Sequence, residues 1–222
     1  SLEPLRQTAF FINPEILGRT IGYSIIAGFL GSLISFLIVY YHQVHHSRLM
    51  KLVEMVGTLP YILPGTFFGL GYLYAFSTKP LIMTGTAAIV IINLIFKQVA
   101  FATKAANAVV SQLPTTYFKA IHDLGGATIA EWRDVFFPLT KRGFGLTFLN
   151  GFISTMTTIG SIIFLVHPGQ ELLTLVMFDV VQQNEYQVAS VIACLIILIC
   201  LIVAGVVMIL IRFAERNRSH VF

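Results

Sequence analysis

Side chains able to do chemistry are few in this 222-residue chain, and their spacing does not suit an enzyme. It holds six histidines, two cysteines and ten carboxylates. His42, His45 and His46 have the residue type and closeness of a metal-ligand group. They flank Arg48 at the end of a long apolar run, however, and read as a solvated, weakly basic segment. Cys194 and Cys200 lie six residues apart in another apolar run, about 9 Å of helical rise. That exceeds the roughly 7 Å between Cα atoms that a disulfide tolerates, so both read as small packing residues. No G-x4-G-K-[ST] stretch is present to cradle nucleotide phosphates. No Asp, Glu, Arg or His falls centrally in an apolar window, where it would mark a proton relay or an ion site. Neither a catalytic residue, a metal nor a cofactor is expected.

What remains are residues that shape backbone and polarity. Pro60, Pro64 and Gly65 interrupt one apolar run, with Gly69 and Gly71 following. Each proline removes an i→i−4 hydrogen bond, and in lipid the freed groups need protein or water partners. One reading is a broken helix lining a substrate path. Another is a kinked packing helix that uses Gly65 and Gly69 for close approach. The two are compatible. A second run carries Thr147, Asn150, Ser154, Thr158 and Ser161 at spacings of 3, 4, 4 and 3, one face of a helix. That stripe faces either a water-filled path or a neighbouring helix. Pro60, Pro64, Gly65, Asn150, Ser154, Thr158 and Ser161 are therefore the candidate path residues.

The elements that must position these groups lie in a bilayer. Only 11% of residues are charged and 56% are hydrophobic, with a mean hydropathy of +0.84. An average globular chain has about 25% charged residues. Disorder is excluded by the apolar content. Nucleic-acid binding is not expected despite a pI near 9.2, because the basic residues form no aromatic-interleaved stripe. Crossing about 30 Å of hydrocarbon takes about 20 apolar residues. Windows of that kind predict five membrane helices, at approximately 20–41, 55–78, 80–102, 143–166 and 188–211. The third is the shortest and needs Lys97, near its end, to snorkel to the interface. The first residues mix both charge signs and do not resemble a cleaved signal. The chain begins at Ser1, as a processed product, a recombinant piece or part of a longer polypeptide would.

Lys and Arg set the expected orientation. Summed over alternate connecting segments, eleven fall on one side and three on the other, while acidic residues divide five and five. The positive-inside rule then puts the amino terminus outside and the carboxyl terminus in the cytoplasm. On the outer side, 167–187 has no Lys or Arg and carries Glu171, Asp179 and Glu185. That acidic surface suits a partner with basic residues.

The longest cytoplasmic segment holds 117–140. After Pro114, the stretch Tyr117 to Leu124 reads as a short amphipathic helix. Gly125 and Gly126 make a turn, Thr128 to Phe137 form a second short helix, and Pro138 stops it. Helices this short are marginal alone in water. Tyr117, Phe118, Ile121, Leu124 (outside the residues described below), Ile129, Trp132 and Phe136 need a surface, which the membrane or a groove in a cytoplasmic partner could supply.

The same stretch resembles the E-A-A-x3-G-x9-I-x-L-P loop of type I ABC importer permeases. With Gly125 on the motif glycine, Lys119-Ala120-Ile121 stand at E-A-A, and Val135 to Pro138 stand at I-x-L-P. The Leu59-Pro60 to Gly65 run and the five-span layout are similar to that family too. The 157–169 stretch looks like its ferric-iron branch, and the chain resembles one half, the carboxyl-terminal one, of such a permease. The resemblance implies an all-α membrane protein forming half of a translocation path. Its ATPase-coupling residues would be Lys119, Ala120, Gly125, Gly126, Trp132 and Pro138. It also implies a cytoplasmic ABC ATPase dimer, a second permease half (fused or separate), an extracytoplasmic substrate-binding protein and a bacterial-type inner membrane. Iron(III) is the implied substrate, although phosphonate, thiamine, polyamine and sulfate importers share the architecture. Lys119 departs from the family's Glu and Ile121 from its Ala, which bears on how the loop docks. A stand-alone secondary transporter or channel, or a membrane scaffold subunit, is the alternative of another class.

Overall fold

A computed structural model of the chain describes residues 8, 11–123 and 125–216. It is built of helices. In chain order they are α1 (Pro14–Gln43), α2 (Arg48–Gly57), α3 (Leu59–Ile62), α4 (Gly65–Ala75), α5 (Ala87–Val110) and α6 (Thr115–Asp123). Next come α7 (Thr128–Ala130), a π-helical turn (Glu131–Phe136), α8 (Phe137–Met156), α9 (Leu173–Gln182) and α10 (Tyr186–Arg216). Among the described residues, α1, α5 and the Tyr186–Phe213 part of α10 are long and apolar enough to cross a membrane.

Packing centres on α1, which lies against both α5 and α8. Small residues permit the approach: Ser24, Ala27, Gly28, Gly31, Ser32 and Ser35 make a buried stripe along α1. Gly28 crosses α8 at Gly151, so close that a Cβ on Gly151 would lie 2.9 Å from the Gly28 Cα. Such small-residue contacts hold helices together where lipid offers no hydrophobic drive. Ser24 and Ser35 hydroxyls donate to carbonyls one turn back, and Thr103 of α5 donates to Ser35.

The second span is interrupted at its prolines: the chain turns extended at Leu63 and Pro64, between α3 and α4. Two features depart from the sequence expectation. The third span runs 87–110 rather than 80–102, which moves Lys97 from a helix end towards the helix middle. The fourth stops at Met156, ten residues short of its expected end, and 157–172 follows as turns.

Candidate coupling surface and polar path

The 115–138 segment sits where α1 and α5 end. Helix α6 closes with a Schellman turn: the Gly126 N–H donates to the Ile121 carbonyl at 2.9 Å, and Gly125 takes φ +74°. That left-handed conformation suits glycine, and a Cβ on Gly126 would press into the Ile121 side chain. The expected stop at Pro138 does not occur. The π turn runs straight into α8, with Pro138 in the first turn of that helix. There a missing N–H costs little.

One face of the segment is anchored and the other is open. Phe118 and Phe136 are buried with Phe36, Val39, Tyr40, Ala106 and Val110, and Trp132 packs against them. Tyr117, Lys119, Ala120, Gly125, Ile129 and Arg133 are exposed, Ile129 to 80%. Of the six predicted coupling residues, Lys119, Ala120 and Gly125 thus lie on the open face. Gly126 and Pro138 are half-buried, and Trp132 belongs to the anchor.

Two of the clustered histidines, His42 and His45, bind protein groups. His42 Nδ1 lies 2.6 Å from Glu54 Oε2, and His45 Nε2 lies 3.0 Å from the Tyr40 hydroxyl. Asn107 of α5 donates to the other Glu54 oxygen and accepts from Gln43. Glu131 of the π turn is wholly buried, 3.7 Å from His45. Sequence reasoning passed over Glu54 and Glu131; the only available signal was a carboxylate inside a largely apolar stretch.

The path candidates separate into two places. Thr147 and Asn150 ride on α8, where Asn150 is exposed and its amide oxygen lies 3.5 Å from Gln98 Nε2. Ser154 also lies on α8, its carbonyl accepting from the Thr158 hydroxyl. Thr158 and Ser161 lie beyond the helix, so the five residues do not form one continuous helical face. Ser161 instead meets the broken second run: a Cβ on Gly69 would collide with the Ser161 carbonyl, and one on Gly65 would reach 3.3 Å from its amide nitrogen. Close approach is therefore what these two glycines provide. Pro60 is half-buried and Pro64 exposed at the break.

Lys97 joins these elements. Its ammonium nitrogen lies 3.0 Å from the Thr158 hydroxyl. One turn away, Asn93 is fully buried with neither amide atom hydrogen-bonded, and the buried Ser161 hydroxyl is likewise unpartnered. Buried polar groups usually have partners, so these two stand out along the seam between α5 and 157–161. On the far side of the seam, Arg19 donates to the Gly169 carbonyl at 2.9 Å. The 167–187 segment, free of Lys and Arg in sequence, therefore has a cation against its backbone. Asp179 and Glu185 remain exposed, and Glu171 accepts from the Gly169 N–H.

No protein-family model matches the chain. The ferric transport system permease protein FbpB of Actinobacillus pleuropneumoniae is 30% identical over 176 residues, 79% of this chain and 26% of that protein. The putative ferric transport system permease protein FbpB 1 of Haemophilus influenzae is 33% identical over 148 residues, 67% of this chain and 23% of that protein. The chain spans about a quarter of the length of the curated relatives it matches. Among solved structures, the MetNI methionine ABC transporter in inward-facing conformations superposes with a TM-score of 0.71, over 90% of this chain and 94% of that one, at 13% identity. A bacterial alginate ABC transporter, in complex with an alginate pentasaccharide-bound periplasmic protein, gives 0.67 over 90% and 79% at 12% identity. The chain has the fold of type I ABC importer permeases, and its sequence relatives are ferric transport system permeases.

Proposed function

We propose that this chain forms half of the translocation path of an ATP-driven importer and takes its power from a cytoplasmic ABC ATPase dimer docked on 115–138. The observation that carries the proposal is the half-anchored segment itself. Its aromatic face is packed on the ends of α1 and α5, while Lys119, Ala120, Gly125 and Ile129 stay exposed for a partner. A rigid-body shift of the docked segment would be passed to the bundle and alternate its openings. The Lys/Arg bias supports placing this end in the cytoplasm of a bacterial-type inner membrane. A second permease half would complete the path, and an extracytoplasmic binding protein would deliver the substrate. Kinship with ferric permeases supports iron(III) as that substrate.

Reconstituted vesicles test this reading. With the complete permease, its ATPase and an iron-55-loaded binding protein, uptake should require ATP. Gly125→Val, which forces a branched side chain into the left-handed region, should cut uptake at least fivefold. Uptake independent of ATP, or unaltered by Gly125→Val, would contradict the assignment.

A further inference from the structure

We infer that Glu131 is a positioning residue, the one that carries movement of the 115–136 segment into α1; this rests on the coupling role proposed above. The segment has two routes into the bundle. One is covalent, since the π turn continues into α8. The other is non-covalent: the aromatic anchor on the ends of α1 and α5 and, within it, one carboxylate. Glu131 is 0% exposed. Its Oε2 lies 3.7 Å from His45 Nε2, just past the end of α1. The same His45 nitrogen lies 3.0 Å from the Tyr40 hydroxyl, on the last turn of α1, so His45 links the buried carboxylate to that helix.

Direction is what this triad adds. Aromatic packing surrounds it, with the Phe136 ring edge-on to Tyr40 at 4.7 Å between centroids. Apolar contacts of that kind bury area and favour certain ring geometries, but they do not single out one partner atom. A buried carboxylate is held only by partners in defined places, and losing one of them is costly. The triad therefore fixes one register between the segment and α1. Two neighbouring features give it something to transmit. Glu131 opens the π turn, a helical irregularity frequently found at functional sites. Beside it lies a cavity of about 380 Å³ lined by Val110, Leu113, Phe118 and Lys119, among others, which gives α6 room to shift. Without the carboxylate, motion of the segment would still reach α8 but would slip against α1.

The test uses the complete importer in vesicles, with iron-55 on the binding protein, and reads substrate imported per ATP hydrolysed alongside ATPase co-purification. Glu131→Gln keeps the shape and removes the charge. It should retain the ATPase and hydrolyse ATP, yet import at least fivefold less per ATP. Tyr40→Phe, which removes one oxygen, should act in the same direction. The double variant should be no worse than Glu131→Gln alone, since both break the same link. An unchanged import ratio in both single variants, additive losses in the double, or loss of ATPase association in Tyr40→Phe would overturn the inference. If Glu131→Gln does not assemble, Tyr40→Phe decides alone. A wild-type importer that neither binds an ATPase nor uses ATP would defeat the coupling role itself; one that couples normally, with indifferent variants, defeats only the triad.

Discussion

Gly69 and Gly71 are two residues apart in one short helix and face opposite fates. A Cβ at Gly69 would collide with the Ser161 carbonyl, a backbone atom that cannot rotate away, whereas nothing lies within 4 Å of one at Gly71. Gly69→Ala should therefore lower the thermal midpoint in detergent, by an amount matching about 1–3 kcal/mol of overpacking. Gly71→Ala should leave the midpoint unchanged or raise it, because alanine is the better helix former by about 1 kcal/mol. Equal effects would show that α4 does not rest on the 160–161 turn. At this scale the sequence was most informative where the chemistry is local. The Gly125-Gly126 turn could be read because it depends on a φ that only neighbouring residues demand. Lys119 and Ala120, which the loop resemblance singled out, are exposed on α6. Glu131 was not readable as part of the anchor, because His45 and, through it, Tyr40 are about ninety residues away in sequence.

Helix α2 shows how little can hold an element in place. None of its residues is fully buried, and Leu49, Leu52 and Met55 are all more than half exposed. Its polar tie to the bundle is Glu54, which meets His42 of α1 and Asn107 of α5. Hydrogen bonds to a charged group contribute about 1.5–3 kcal/mol each. Glu54→Ala should speed hydrogen exchange across 48–57 by at least about tenfold, with α5 unaffected. Exposed Lys51→Ala should not. Uniform protection in both variants would mean that apolar contacts suffice. The same scale explains why helix limits were hard to predict. Hydropathy sees 143–166 as one charge-free run, yet the helix ends at Met156 because 157–166 folds back on α4 and α5. Ile159, Ile162 and Leu165 join their core there. The third span starts at Ala87 because 80–86 is turn and loop, with Gly85 at φ +79°, and Lys97 has the Thr158 hydroxyl as a partner within the protein.

Across the whole molecule, charge and aromatic content divide the labour. The membrane-facing surface is apolar, most of all along α10, only 11% buried within its apolar window. The Lys/Arg-rich end carries the segment with an anchored face and an open one. Exposed apolar residues on α3 and α4, including Ile62 at 73% and Phe67 at 66%, are the kind of surface a second permease half would cover. The all-helical class was legible from composition and window length. The bundle's order, with α1 central, was not, since it depends on which small-residue stripes meet. The account turns on what touches the open face of 115–138. A photo-reactive residue placed at Lys119 in native membranes addresses that contact, with the same residue at exposed Asp179 as control. Cross-linking to a P-loop ATPase from position 119 and not from 179 is the predicted result; no ATPase adduct from 119, or equal adducts from both, would contradict it.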